Sequence, residues 1–204
     1  MSSGPARDRL LDAAEALVLR HGFAATTVDA VLAVAGASKG GFFHHFPTKA
    51  HLGRALVERY AAGDGELLDA VMTRAEAQTD DPAEQLVAFT RAFEEQATGT
   101  PPRCLFVSFI YETDLSDVGT ESIVRDSIVH WRARIVEKLE RAVEAHPPAT
   151  AVDLPSLADM WFTTFEGAFL LGQALSDDRA VGRQLAHLRH YLELLFDLAP
   201  AGPQ

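Results

Sequence analysis

The chain has 204 residues and a mass of 22.1 kDa, with 48% hydrophobic and 23% charged side chains, which excludes a disordered protein and predicts one sizeable core or two small ones. No apolar run approaches the roughly 18 residues that a membrane-spanning helix needs, and the first residues, MSSGPARD, contain no signal-peptide core. The single cysteine, Cys104, cannot form an intramolecular disulfide, so we expect a reducing, cytoplasmic location and no membrane partner.

The charge is distributed unevenly along the chain. The formal net charge is −11 at pH 7, which by itself does not favour binding to phosphates. Residues 1–60, however, carry seven basic and five acidic side chains, a net of +2, which leaves 11 basic and 24 acidic side chains, a net of −13, in residues 61–204. The sequence thus predicts a mildly basic N-terminal part and an acidic remainder that nucleic acid repels.

Helical periodicity dominates the first 50 residues. A first helix is predicted over Asp8–His21, and Gly22 supplies the left-handed residue that ends it. Thr26 and Thr27 are N-cap candidates for a short second helix, which Gly36 ends.

A third short helix is predicted from Lys39 to about Phe46, with Ser38 as its N-cap candidate. Its two glycines each cost about 1 kcal/mol relative to alanine, and inward-pointing Phe42 and Phe46 offset this cost by burial. Three short helices with a tight glycine-bearing turn between the second and third describe a helix-turn-helix.

The rest of the chain predicts longer helices separated by Pro, Gly and Asp clusters. The predicted helices span residues 49–78, 82–98, 102–114, 118–145, 156–175 and 179–198. The tail 200–204 is expected to be loose.

Residues 26–52 contain a composite pattern: a threonine pair, an apolar helix, a glycine turn, a Ser-Lys-Gly step, an aromatic cluster and a Thr-Lys ending. In this sequence these are Thr26-Thr27, Gly36, Ser38-Lys39-Gly40, Phe42-Phe43-His44-His45-Phe46 and Thr48-Lys49. The pattern resembles the DNA-binding head of the TetR family of transcriptional regulators. The resemblance implies an all-α protein, with a three-helix helix-turn-helix DNA-binding domain in residues 1–50 and a helical ligand-binding and dimerisation domain in residues 51–204. It also implies a repressor that releases its palindromic operator, a double-stranded DNA site, when a small apolar or aromatic ligand binds.

The resemblance implies eight DNA-contact candidates: Thr27, Ser38, Lys39, Gly40, Gly41, Phe43, His44 and Lys49. Small residues early in the third helix suit a close approach to the floor of the major groove, and Lys49 suits a phosphate. Gly41 stands where the family often has Ser or Thr, and Phe43 where it often has Tyr, so two hydroxyl contacts are lost. Lys39 also fits a solvated surface lysine, and His44 also fits packing against the first helix.

In the family, the last two helices pair with those of a second copy. Five residues of the last predicted helix follow a near-heptad stripe that suits such a homodimer seam: Leu185, Leu188, Leu192, Leu195 and Phe196. Burial in the monomer core is the alternative for each of them.

Aromatic residues are frequent after residue 88, and the resemblance places the ligand among them, in an apolar cavity with few polar groups. The ligand-contact candidates are Phe89, Phe93, Phe106, Phe109, Trp131, Phe162, Phe165, Glu166 and Phe169. Glu166 is the candidate polar anchor. Cys104 is expected to be a free buried thiol, with a redox sensor as the alternative.

Two other functions compete with this interpretation. An enzyme is disfavoured because the sequence has no G-x-S-x-G, P-loop or dinucleotide-binding glycine motif. His187 and His190 are spaced as metal ligands, but no further ligands lie near them in sequence, so we expect neither a metal nor a cofactor. The second alternative is an activator or a ligand-insensitive DNA-binding protein with the same head.

Overall fold

The computed structural model describes residues 4–97, 104–112 and 119–198. Within these ranges the chain forms nine α-helices and no strand, which confirms the all-α fold class. The helices are α1 (Pro5–His21), α2 (Val28–Ala35), α3 (Lys39–His45), α4 (Lys49–Glu76), α5 (Pro82–Gln96), α6 (Leu105–Glu112), α7 (Glu121–Ala145), α8 (Leu154–Leu175) and α9 (Ala180–Leu195). None of these helices, as far as they are described, is long and apolar enough to cross a membrane.

Helix caps explain where the boundaries differ from the predicted ones. α1 begins three residues earlier than expected, at Pro5, which has no N–H group to leave unpaired in the first turn. α8 begins two residues earlier than expected, because the Asp153 carboxylate accepts the backbone N–H of Ser156 at 3.3 Å. The predicted break at 98–102, most of the one at 114–119 and the tail 200–204 lie outside the described residues.

The described chain divides into two compact units. The first comprises residues 4–64, 104–112 and 119–127, and the second comprises residues 65–97 and 128–198. Helices α4 and α7 supply residues to both units, and α6 belongs to the same unit as the three-helix head formed by α1, α2 and α3.

Aromatic rings fill the core of the first unit. Phe42 of α3 and Phe46, directly after α3, are buried, as predicted. The ring centroid of Phe109 on α6 lies 4.6 Å from that of Phe23, in the loop after α1. A Cβ atom on Gly53 of α4 would lie 2.6 Å from the Phe23 ring and 3.3 Å from the Phe109 ring. Glycine at this position therefore lets α4 approach both rings, so that α6 is part of the core beneath the head.

The second unit is built around α9, which packs on α5 and on α8. Its polar interior is hydrogen-bonded. The indole N–H of Trp161 donates to the Thr90 hydroxyl at 3.0 Å. Lys138, only 5% exposed, donates to the carboxylate of Glu76 and the side-chain carbonyl of Gln85, both at 2.7 Å. These bonds satisfy groups that would otherwise be costly to bury.

The leucine stripe of α9 is not an exposed seam. Leu185, Leu188, Leu192 and Phe196 are buried within the single chain and Leu195 is half-buried, because this side of the helix faces α5 and α8. The prediction that the stripe contacts a second copy was therefore wrong, and the alternative, monomer core, is correct for it.

Candidate nucleic-acid interface

The turn between α2 and α3 is fixed by local chemistry. The Thr27 hydroxyl oxygen accepts the backbone N–H of Ala30 at 3.1 Å, and the Ser38 hydroxyl oxygen accepts that of Gly41 at 3.1 Å. Between these two N-caps, Gly36 adopts the left-handed conformation, with φ of 60° and ψ of 36°. Both predicted caps and the predicted glycine turn are thus confirmed, and together they set the angle at which α3 leaves α2.

The buried aromatic residues hold α3 against α1 and α2. Phe42 and Phe46 pack with their ring centroids 5.7 Å apart, and the Arg7 guanidinium of α1 lies 5.4 Å from the centroid of the Phe46 ring. Burial of two large rings compensates for a helix of seven residues with two glycines. The opposite side of α3 is therefore presented to solvent in a fixed orientation.

Helical geometry identifies that outer side. Each residue advances by about 100° around the axis, so Gly40 and His44 lie nearly opposite buried Phe42. We call the side of α3 marked by Gly40 and His44 its outer line. Lys39 and Phe43 lie to one side of this outer line, and Gly41 lies to the other. Lys39, Gly40, Gly41, Phe43 and His44 are all exposed, and Phe43 is 44% exposed although it is large and apolar.

Thr27 and Ser38, the other two exposed candidates, lie at the starts of α2 and α3. The structure therefore gathers seven of the eight predicted DNA contacts on the surface of the head. These are Thr27, Ser38, Lys39, Gly40, Gly41, Phe43 and His44.

Lys49 differs from the other candidates. It is half-buried at the start of α4, its ammonium group donates to the backbone carbonyl of Ala24 at 3.1 Å, and it lies 4.6 Å from the centroid of the Phe23 ring. The lysine thus ties α4 to the loop between α1 and α2. This packing role was not apparent from its place in the motif.

Two further contacts of the first unit were missed by sequence reasoning. Arg59 of α4 donates to Asp12 at 2.6 Å and to Glu15 at 2.5 Å, both on α1. Burial opposes the charge on the guanidinium, but the hydrogen bonds to Glu15 and Asp12 outweigh burial and raise the pKa of Arg59. Because the partners are separated by 47 and 44 residues, only the fold reveals them.

The second missed contact joins α4 to the residue before α6. Burial raises the pKa of the Tyr60 hydroxyl, and the half-buried thiol of Cys104 is hydrogen-bonded to it. Cys104 is therefore a thiol of the first unit that is not part of a disulfide and that contacts a helix starting at the head.

Most of the predicted ligand contacts lie in the second unit. The rings of Phe89, Phe93 and Trp131 form a cluster with centroids 5.1–6.2 Å apart. Phe165, Glu166 and Phe169 of α8 are half-buried, whereas Phe162 is exposed.

The two remaining ligand candidates, on α6, belong to the first unit. Phe109 packs on Phe23, and Phe106 packs edge-on against Tyr60, 4.9 Å between centroids. These two rings therefore have packing partners within the core beneath the head. In the described part of the chain, no three His, Cys, Asp or Glu side chains converge as metal ligands.

A capped three-helix head with an exposed third helix, followed by an all-helical body, defines a helix-turn-helix regulator of transcription. The family model for bacterial regulatory proteins of the tetR family matches residues 10–56, and the model for the tetracyclin repressor-like C-terminal domain matches residues 82–188. The chain belongs to the TetR family.

Known proteins of this family resemble it along most of its length. It is 27% identical over 151 residues to the transcriptional regulator AcuR of Cereibacter sphaeroides, covering 73% of this chain and 68% of AcuR. It is 25% identical over 196 residues to the transcriptional repressor NemR of Escherichia coli K12, covering 91% and 93%. The crystal structure of the reduced form of E. coli NemR superposes with a TM-score of 0.73 over 92% of this chain and 97% of that one. A regulatory protein TetR from Rhodobacter sphaeroides, 22% identical, shares the fold with a TM-score of 0.76 over 92% and 99%.

Proposed function

We propose that this protein is a cytoplasmic, ligand-responsive repressor. As a homodimer it binds a palindromic operator, and it releases the operator when a small apolar or aromatic molecule binds the body. The observation that carries the proposal is the exposed outer side of α3 on a firmly packed head, in a chain of a DNA-binding family. The similarity to NemR, a repressor, supports repression. We assign DNA binding to residues 1–50, and ligand binding and dimerisation to residues 51–204.

The proposed DNA contacts divide by chemistry. Lys39, Phe43 and His44 lie on or beside the outer line of α3 and are placed to meet base edges in the major groove. The capping hydroxyls of Thr27 and Ser38 can each donate a hydrogen bond to a phosphate oxygen. The remaining proposed contacts are Gly40, Gly41 and Lys49.

The homodimer is proposed to form through α8 and α9, but not through the leucine stripe. Six large apolar side chains of these two helices remain exposed in the single chain: Phe162, Leu170, Leu171, Leu175, Tyr191 and Leu194. Large apolar side chains exposed together on two packed helices favour an interaction site. A two-fold pair of heads also fits DNA, because half-sites one helical turn apart lie about 34 Å from each other.

The ligand is proposed to bind in the second unit, beside the cluster of Phe89, Phe93 and Trp131. The half-buried Phe165, Glu166 and Phe169 of α8 supply further apolar area and one carboxylate. Aromatic walls with few polar groups suit an apolar or aromatic molecule. A ligand that prefers a body conformation incompatible with operator binding would release the DNA by its differential affinity for the two states.

Selection from a pool of random duplexes tests DNA binding. We expect an enriched palindrome whose affinity falls steeply with salt. A panel of apolar and aromatic compounds, added to the selected complex, should contain members that release the DNA. Failure to enrich any sequence would refute DNA reading, whereas a specific complex that resists the whole panel would refute the ligand response and favour the ligand-insensitive alternative.

Tryptophan fluorescence tests the ligand site. The chain has two tryptophans, Trp131 and Trp161. In Trp161→Phe the remaining emission comes from Trp131, which lies in the aromatic cluster. A releasing compound should change this emission with the same midpoint as it releases DNA. Release without any change in Trp131 emission would place the ligand elsewhere.

Oxidation of Cys104 is a second candidate signal. It is favoured by two observations: the related NemR crystal structure is of a reduced form, and the Cys104 thiol contacts Tyr60 in the same unit as the head. Release of the selected duplex by hydrogen peroxide in the parent chain, but not in Cys104→Ser, would support this signal. Equal responses of the two proteins would exclude it.

A further inference from the structure

We propose that α3 recognises a thymine methyl group within two base-pair steps of a guanine. The methyl group occupies a notch between the backbone of Gly40 and the ring of Phe43, and Lys39 beside the notch donates to the guanine. The inference rests on the proposed function, because it concerns the α3 surface assigned to DNA, and it specifies which bases that surface selects.

Gly40 is not required by the fold. Its φ is not in the positive range, and a Cβ atom added to it would meet no heavy atom within 4 Å. This differs from Gly53, where the added atom would collide with Phe23. Glycine is unfavourable inside a helix, so the space beside Gly40, on the outer line of α3, is kept open for a group outside the protein.

Phe43 forms the wall of the notch. Its ring is held edge-on against buried Phe42, with centroids 5.2 Å apart and an interplanar angle of 83°, yet it remains 44% exposed. Side chains on a helix lean towards its N-terminus, so this ring overhangs the turn that contains Lys39 and Gly40. Among the base-edge groups of the major groove, the thymine methyl is the apolar one, and it therefore matches an open backbone beside an exposed ring.

The remaining chemistry of α3 selects guanine. The helix has the sequence KGGFFHH and contains neither the carboxylate that typically accepts from cytosine N4 nor the carboxamide that pairs bidentately with adenine. The imidazole of His44 can donate or accept a hydrogen bond, so it selects no base by itself. Lys39 is a pure donor, and guanine O6 and N7 are acceptors. Lys39 and Phe43 are four residues apart, about 6 Å along the axis, which spans about two base-pair steps. The guanine and the thymine are therefore expected within two steps of each other in each half-site.

Replacing thymine by deoxyuridine, one position at a time in the selected operator, tests the notch. Uracil lacks the methyl group, whose burial is worth about fourfold in affinity per half-site. We expect a loss of about this size at one thymine of each half-site, measured as Kd by fluorescence anisotropy. In Phe43→Ala, the thymine and uracil operators should bind equally. Lys39→Met, which removes the donor, should lose preference for guanine over 7-deazaguanine at a position within two steps of that thymine.

Gly40→Ala provides a test in which stability and binding move in opposite directions. The substitution should raise Tm by about 1–4 °C, because it replaces a glycine in the first turn of a helix without a collision. It should weaken binding of the thymine operator at least tenfold, because the added methyl group fills the notch. Gly63→Ala on α4 is the matched control, since Gly63 is also helical and has nothing within 4 Å of an added Cβ. It should raise Tm similarly and leave Kd unchanged.

The outcomes of these experiments distinguish a failure of this inference from a failure of the proposed DNA-binding function. If selection enriches no sequence, the proposed function fails. If a specific palindrome is bound but no thymine is sensitive to uracil, or if Gly40→Ala binds as tightly as the parent chain, the notch is refuted while the regulator remains. Equal weakening by Gly40→Ala and Gly63→Ala would also refute it, because the effect would then not belong to α3.

Discussion

Disruption of the proposed dimer surface gives the most direct test of whether α8 and α9 form the dimer interface. Leu170 on α8 is 71% exposed and Leu194 on α9 is 69% exposed. Burying a leucine fully is worth about 1.5–3 kcal/mol, so covering seven tenths of it contributes about 1–2 kcal/mol. In a two-fold interface every substitution occurs twice, and the loss per dimer is therefore about 2–4 kcal/mol. Leu170→Asp and Leu194→Asp should each weaken dimerisation by roughly 30- to 800-fold.

Sedimentation velocity over a dilution series measures this effect directly. Each variant should shift from dimer to monomer at concentrations where the parent chain stays dimeric. Operator affinity should fall in parallel, because a single head reads one half-site. Leu67→Asp is the control, since Leu67 is an exposed leucine of α4, 40% accessible, outside the proposed surface. Dimers that persist in both variants, or dissociate equally in the control, would show that α8 and α9 do not form the interface.

Three further outcomes are expected. Lys49→Gln should flatten the log–log salt dependence of operator binding by about 0.9 per head; an unchanged slope with a lower Tm would leave the lysine with its packing role alone. Gly53→Ala should lower the free energy of unfolding in urea by about 1–3 kcal/mol through overpacking, whereas Gly63→Ala should raise it. Equal effects of the two substitutions would contradict the close approach of the Phe23 ring to Gly53. Burial opposes the charge on the Asp81 carboxylate, but hydrogen bonds from His146 and from the backbone N–H groups of Glu84 and Ala83 outweigh burial and lower the pKa of Asp81. Asparagine caps a helix as well as aspartate does, so Asp81→Asn should cost about 0.3–1 kcal/mol above pH 5, through the loss of a negative charge at the N-terminus of α5. That difference should vanish as pH falls below about 4, through the lowered pKa of the folded state, and a cost independent of pH would exclude the charge as its source.

The head was largely predictable because its determinants are local. Thr27 and Ser38 cap the helices that follow them, and Gly36 turns the chain between them. Each acts within four residues of its own position, so the sequence carries the information directly. The inward placement of Phe42 and Phe46 follows from their spacing of four in a short helix.

Contacts between distant segments were not predictable in the same way. Lys49 has the charge and motif position of a phosphate ligand, but the fold brings the Ala24 carbonyl within 3.1 Å of its ammonium group. Phe106 and Phe109 are aromatic residues of the kind that line apolar pockets, yet the fold packs them in the same unit as the head. The chemistry of a side chain limits which partners it can bind, but the partner it does bind depends on which groups the fold places near it.

The last two helices show why a stripe alone does not identify an interface. Periodic leucines indicate that one side of α9 is buried, but both a neighbouring helix of the same chain and a helix of a second copy satisfy that pattern. The more informative signal is the run Ala168–Leu171 in α8, four consecutive apolar residues that cover every side of a helix. One chain buries Ala168 and leaves Leu170 and Leu171 exposed. An all-round apolar helix needs partners on more than one side. Because α9 packs on only part of α8, the exposed part fits the second copy that we propose there.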